Sequence, residues 1–165
     1  MPQSWGVLPN SQWPRNVKYM NITRRFDYDD QSVDAIYSSH TIEHLTYSEA
    51  AFVFREAFRV LKSGGIIRII VPHFAQTVKN YLANAQKMPH LAAKRFLDDT
   101  YYFEIPVPDN LPGLVKYYFK RKNNHHFLYD EQGLRHQLST AGFTDILSMK
   151  WGESRIPGIE KIDIP

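Results

Sequence analysis

Apolar residues recur at three- and four-residue spacing through residues 47–62, where Ala50, Val53, Phe54, Ala57, Phe58 and Leu61 form one stripe. Arg55, Glu56, Arg59 and Lys62 fall outside that stripe, so the segment predicts an amphipathic helix. Thr46 is a suitable N-cap, since its hydroxyl can accept an orphan backbone N–H, and Glu49 can complete a capping box. Phe52 and Val60 widen the apolar surface, as expected of a helix laid on a sheet. Gly64 or Gly65 can supply the left-handed turn that ends it. Residues 66–71 read IIRIIV, almost uniformly β-branched, and Pro72 stops them. Such continuous apolarity fits a buried parallel strand covered on both faces. Residues 33–38 are also rich in β-branched and aromatic side chains. Strand, helix and strand in this order predict a βαβ unit.

The pattern is less regular elsewhere. Residues 1–16 mix Pro, Asn, Ser and Trp without a period and read as irregular chain anchored by Trp5 and Trp13. Residues 17–22 form a short extended run. Helices are expected over 75–86 and 91–98. Residues 101–124 combine Pro106, Pro108 and Pro112 with clustered tyrosines and phenylalanines, and the whole stretch 73–128 reads as an insertion or lid. Asp130 can cap a last helix carrying Leu134, Gln137, Leu138 and Ala141, with Gly142 as its stop. Residues 143–151 and 159–164 are expected as strands.

Composition narrows the class. A chain of 165 residues, 43% hydrophobic, suits a single domain. Twenty Lys and Arg against 17 Asp and Glu leave a net charge of +3, too small to point to nucleic acid or a membrane surface. Without cysteine there is no disulfide, thiolate nucleophile or Cys-ligated metal. No apolar run has membrane-spanning length, and the start lacks the pattern of a signal peptide. A soluble, cytoplasmic protein is expected.

Two groups of residues carry candidate chemistry. His40, Glu43 and His44 form H-T-I-E-H, the order of an inverted zinc-hydrolase signature in which both histidines ligate and the glutamate is the base. That motif needs a helix, whereas His40 follows a strand directly and the helix cap comes later. A third ligand would have to come from His125, His126 or a distant carboxylate. No metal is therefore assigned, and a metal-dependent hydrolase stays an alternative. The second group is Lys120, Arg121, His125 and His126, with Lys116, Lys122 and interleaved aromatics, able to bind phosphate or to lie solvated on an insertion.

Taken together, SVDAIYSSHTIEHL (32–45), FREAFRVLKSGGIIRIIVP (54–72) and HHFLYDEQGLRHQLSTAGFTDI (125–146) resemble class I S-adenosylmethionine-dependent methyltransferases. The nearest likeness is to the small predicted enzymes of surface-polysaccharide pathways. The resemblance implies a Rossmann-like α/β fold, a three-layer sandwich with a mixed central sheet. It implies S-adenosylmethionine as cofactor and methyl transfer to an oxygen or nitrogen of a small molecule or sugar. It places Ser38, Ser39 and His40 beside the cofactor, with Asn21 and Ile22 near the adenine. His40 or His44 would be the base and Glu43 its orienting partner, although His44 could equally fix the loop. His73, Lys120, Arg121, His125 and His126 would face the acceptor. The family's glycine-rich first loop has no counterpart here, because Gly64 and Gly65 follow a helix rather than a strand. The chain is thus expected to be N-terminally truncated relative to that fold, and a non-catalytic remnant acting through interaction is the other reading. The strand at 17–22 would then move beside 33–38, be covered by Trp5 and Trp13, or be completed by a partner or second copy. A homo-oligomer is the expectation.

Overall fold

The computed structural model describes residues 18, 20–100, 107–114, 117 and 125–163. Its centre is the expected βαβ unit: β1 (Val33–Ser39), α1 (Tyr47–Val60) and β2 (Leu61–Ile70), with the strands parallel. The register sets Ser38 opposite Ile69 and Ser39 opposite Ile70. His40 extends the ladder by donating its N–H to Ile70 O at 3.0 Å. Thr46 caps α1 with the full capping box: its hydroxyl accepts from Glu49 N, and the Glu49 side chain accepts from Thr46 N. That pair of bonds satisfies two donors the first turn leaves open.

The helix stops at Val60, earlier than residue 62, and the glycines do not cap it. Its last carbonyls are taken by the chain entering β1, since Gln31 N donates to Arg59 O and Ser32 N to Val60 O. Leu61 is already extended, buried and paired with Val33. Residues 62–65 bulge from the ladder between the pairs Val33–Leu61 and Ala35–Ile66, with Gly64 at φ +78°. Glycine suits that position because a side chain there would be strained.

Ala50, Val53, Phe54, Ala57 and Val60 of α1 join Phe26, Ile42, Tyr129 and Leu138 in the core. Phe58, expected in the stripe, is 47% exposed and stacks edge-on against Phe143 instead. Arg59 ties the chain ahead of β1 to the helix: its guanidinium donates to Glu56, to Asp30 and to the carbonyls of Phe26 and Tyr28. β2 is less enclosed than its composition implies, being half-buried along Ile66–Ile70.

Two further helices, α2 (Phe74–Lys87) and α3 (Pro89–Asp99), follow β2 and pack on each other, with Tyr81 edge-on to Phe96. The last helix, α4 (Glu131–Ala141), begins at Asp130, whose side chain accepts from Gly133 N. It ends at Gly142, φ +110°, where an added Cβ would lie 2.9 Å from the Phe58 ring. α4 lies against α1.

Three expected strands are not seen among the described residues. Within 17–22 the described residues are 18 and 20–22, none of them in a strand. Asn21 Oδ1 accepts from Thr23 N and Oγ1, so its side chain closes a local turn in competition with a ladder. Residues 143–151 are irregular. Their carbonyls are served by guanidinium groups, with Arg135 donating to Ile146 O and Arg68 to Lys150 O, and Asp145 has φ +51°. Within 159–164 the structure has a 3-10 turn, Ile159–Lys161. Asp163 behind it accepts from Arg68, Gly152 N and Tyr37, which anchors the segment by side-chain contacts. The described sheet therefore has two parallel strands, and a mixed sheet is not seen among the described residues. No helix among them is long and apolar enough to cross a membrane.

Candidate functional site at the carboxyl ends of the strands

In open α/β sheets ligands collect outside the carboxyl ends of the strands, where loops diverge and backbone groups are available. Here that end carries Ser38 and Ser39, both half-buried, and then His40, exposed and left-handed at φ +48°. A non-glycine residue in that conformation costs roughly 1–2 kcal/mol, which surrounding contacts must hold in place. Thr41 Oγ1 donates back to Ser39 O at 3.1 Å and fixes the turn. A 3-10 turn, Ile42–His44, follows and buries Ile42 and Glu43.

Residues 125–129 cross this end as a strap. His126 N and Phe127 N both donate to Glu43 O, at 2.7 and 3.1 Å, and Phe74 N at the start of α2 donates to Tyr129 O at 3.0 Å. The strap thus joins the loop after β1 to the loop after β2. Phe127 and Tyr129 stack edge-on and Tyr129 is buried, its hydroxyl reaching Gln137 Oε1. Those apolar anchors hold His125 inside.

The result is a compact polar cluster. The Glu43 side chain is 1% exposed; its Oε1 lies 3.2 Å from His40 Nδ1 and 3.9 Å from His125 Nε2. Oε2 is buried with no hydrogen-bond partner among the described residues. The His44 and His125 rings meet edge-on with centroids 5.0 Å apart. Burial pushes the His125 pKa down to about 4, and the neighbouring His44 and His40 add to that shift, while a hydrogen bond to the Thr100 backbone opposes it. His125 is therefore neutral at pH 7. Tyr129 is pushed up to about 12 by burial, with Tyr47 and Glu43 contributing. Tyr129 stays a neutral phenol.

His40, Glu43 and His44 are thus brought together with His125, which sequence reasoning placed on the acceptor side with the basic patch and also offered as one possible third ligand to them. His126 is exposed beside the cluster, close enough to Glu49 to favour that carboxylate. His73 lies at the same end of the sheet, after β2, exposed at the start of α2. Asn21 is committed to its own turn, and Ile22 packs against the core. Lys120 and Arg121 lie outside the described residues, as do Trp5 and Trp13. Sequence reasoning missed Tyr129 and Thr100. The signal available for Tyr129 was the apolar run Phe127-Leu128-Tyr129 directly after His125 and His126; for Thr100, joined to His125 through its backbone, there was none.

The comparisons with known proteins give one match. Residues 9–69 match the family model of a methyltransferase domain. That span takes in β1, the loop bearing His40, Glu43 and His44, α1 and nearly all of β2. The match supports the methyltransferase resemblance and carries no information on a surface-polysaccharide type. No curated protein and no solved structure matches the chain.

Proposed function

We propose that this chain is a class I methyltransferase of Rossmann-like fold that uses S-adenosylmethionine. The observation that carries the proposal is the family match over residues 9–69, whose βαβ unit places a polar loop at the strand ends. The half-buried Ser38 and Ser39 fit the methionine portion of the cofactor, which asks for polar groups beside a strand end. Asn21 Oδ1 is taken by Thr23, so an adenine contact there would use its Nδ2 donors.

When bound, the sulfonium supplies an activated methyl group, so the protein needs alignment more than a nucleophile of its own. The acceptor is an oxygen or nitrogen of a small molecule or sugar. His40, exposed and held at Nδ1 by Glu43, is the better base for its proton, because its ring is accessible. His44 packs against His125 and serves the loop. His73 and His126 face the acceptor. In the cell the protein is cytoplasmic, and a second copy or partner completes the sheet.

Calorimetric titration of the purified chain with S-adenosylmethionine and S-adenosylhomocysteine tests the reading. Saturable binding of both, weakened by paired Ser38→Val and Ser39→Val substitutions, is expected. A folded sample giving no heat and no thermal shift overturns independent methyl transfer and favours an interaction role.

A further inference from the structure

We propose that Glu43, His44 and His125 form a binding site for a divalent first-row metal ion of the zinc class. The ligand atoms of the three side chains all lie within 4.8 Å of one another. Two imidazoles and a carboxylate are the donors such an ion prefers. With bonds of about 2.1 Å, tetrahedral coordination sets ligand atoms roughly 3.4 Å apart, so small side-chain rotations close the set. Glu43 supplies the second, independent observation. Its Oε2 is buried without a hydrogen-bond partner among the described residues, and a buried carboxylate oxygen left in that state is costly unless a proton or cation meets it.

The backbone builds the site as well. His44 and His125 are far apart in sequence, yet the two N–H groups of His126 and Phe127 clamp onto Glu43 O and bring the strap to the loop. His40 stays outside the set with its ring 63% exposed, and its contact with Oε1 orients the carboxylate in the manner of an outer partner. The arrangement differs from the inverted zinc signature, where His40 would be a ligand and Glu43 the base. The ion joins the loop after β1 to the strap, and its binding does not depend on the methyltransferase reading.

The test uses the full chain, stripped with chelator and titrated with zinc alone against a chromophoric competitor, then with cobalt for its visible spectrum. One equivalent of zinc, a raised thermal midpoint and cobalt bands of four-coordinate nitrogen and oxygen ligation are expected. Glu43→Gln, His44→Gln and His125→Ala should each weaken binding by about 100-fold, while His90→Ala and His136→Ala leave it unchanged. Because Glu43 and His125 are buried, the half-buried His44 and the wild-type cobalt spectrum carry the test if the other variants fail to fold. Absence of binding to the folded wild type, zinc affinity that survives His44→Gln, or loss in the His136 variant overturns the site.

Discussion

His125 concentrates the electrostatics of this molecule in one side chain, 5% exposed, with Glu43, His44, His40 and the Thr100 backbone around it. Its pKa falls from 6.5 to about 4 on folding. The unfolded chain therefore binds a proton that the folded chain refuses between those values. Stability is fully present above pH 6.5 and is lost as pH falls toward 4, by up to about 3 kcal/mol. In chelator-containing buffer, the denaturation midpoint should drop between pH 7 and pH 5, and His125→Gln should flatten the drop. An unchanged slope in that variant would assign the pH dependence to other groups. At the same scale, the sequence showed His40, Glu43 and His44 as a unit. It offered His125 only as one possible third ligand, beside His126 or a distant carboxylate, and could not choose among them because the contact depends on a strap folding back from eighty-odd positions away.

Among the elements, α1 is held by signals that were visible along the chain. Thr46 Oγ1 accepts from Glu49 N at 3.3 Å and donates to Glu49 Oε2 at 2.7 Å, and the Glu49 carboxyl is held below its ordinary pKa first by the Thr46 backbone N–H, at 2.9 Å, and then by that hydroxyl. Thr46→Ala should cost about 1 kcal/mol, read as a lower denaturant midpoint at unchanged slope. The helix's other end was less legible. A glycine-based stop is a local device, whereas here Gln31 and Ser32 satisfy the last carbonyls from a distant part of the chain. The strands expected at 143–151 and 159–164 failed for a related reason: alternation describes what a strand can bury, and these segments found arginine side chains where a neighbouring strand was needed.

For the molecule as a whole, the join between the carboxyl-terminal segment and β2 rests on Arg68 and Asp163. Their side chains are 10% and 0% exposed and lie 2.5 Å apart. Burial raises the Asp163 pKa, yet bonds from Arg68, Gly152 N and Tyr37 outweigh it and leave the carboxyl below its ordinary value. Arg68 also donates to the carbonyls of Lys150 and Glu153, so one guanidinium gathers three points of the segment onto the sheet. Asp163→Ala leaves that buried cation without its counter-charge and should cost about 3–5 kcal/mol. Early proteolytic cleavage within 150–163, ahead of global unfolding, would show that the segment detaches first.

By itself the sequence determined what depends on neighbours along the chain: the β1–α1–β2 order, the capping box at Thr46, the Asp130 and Gly142 boundaries of α4, and the H-T-I-E-H loop after a strand. These follow from periodicity, capping and backbone preference, which act over a few residues. Only the tertiary structure decided which groups share a desolvated space. It brought His125 onto Glu43, turned Asn21 back on Thr23, left Phe58 at the surface and set Arg68 against Asp163. Burial and charge pairing depend on distances through space, and no pattern along the chain encodes them singly.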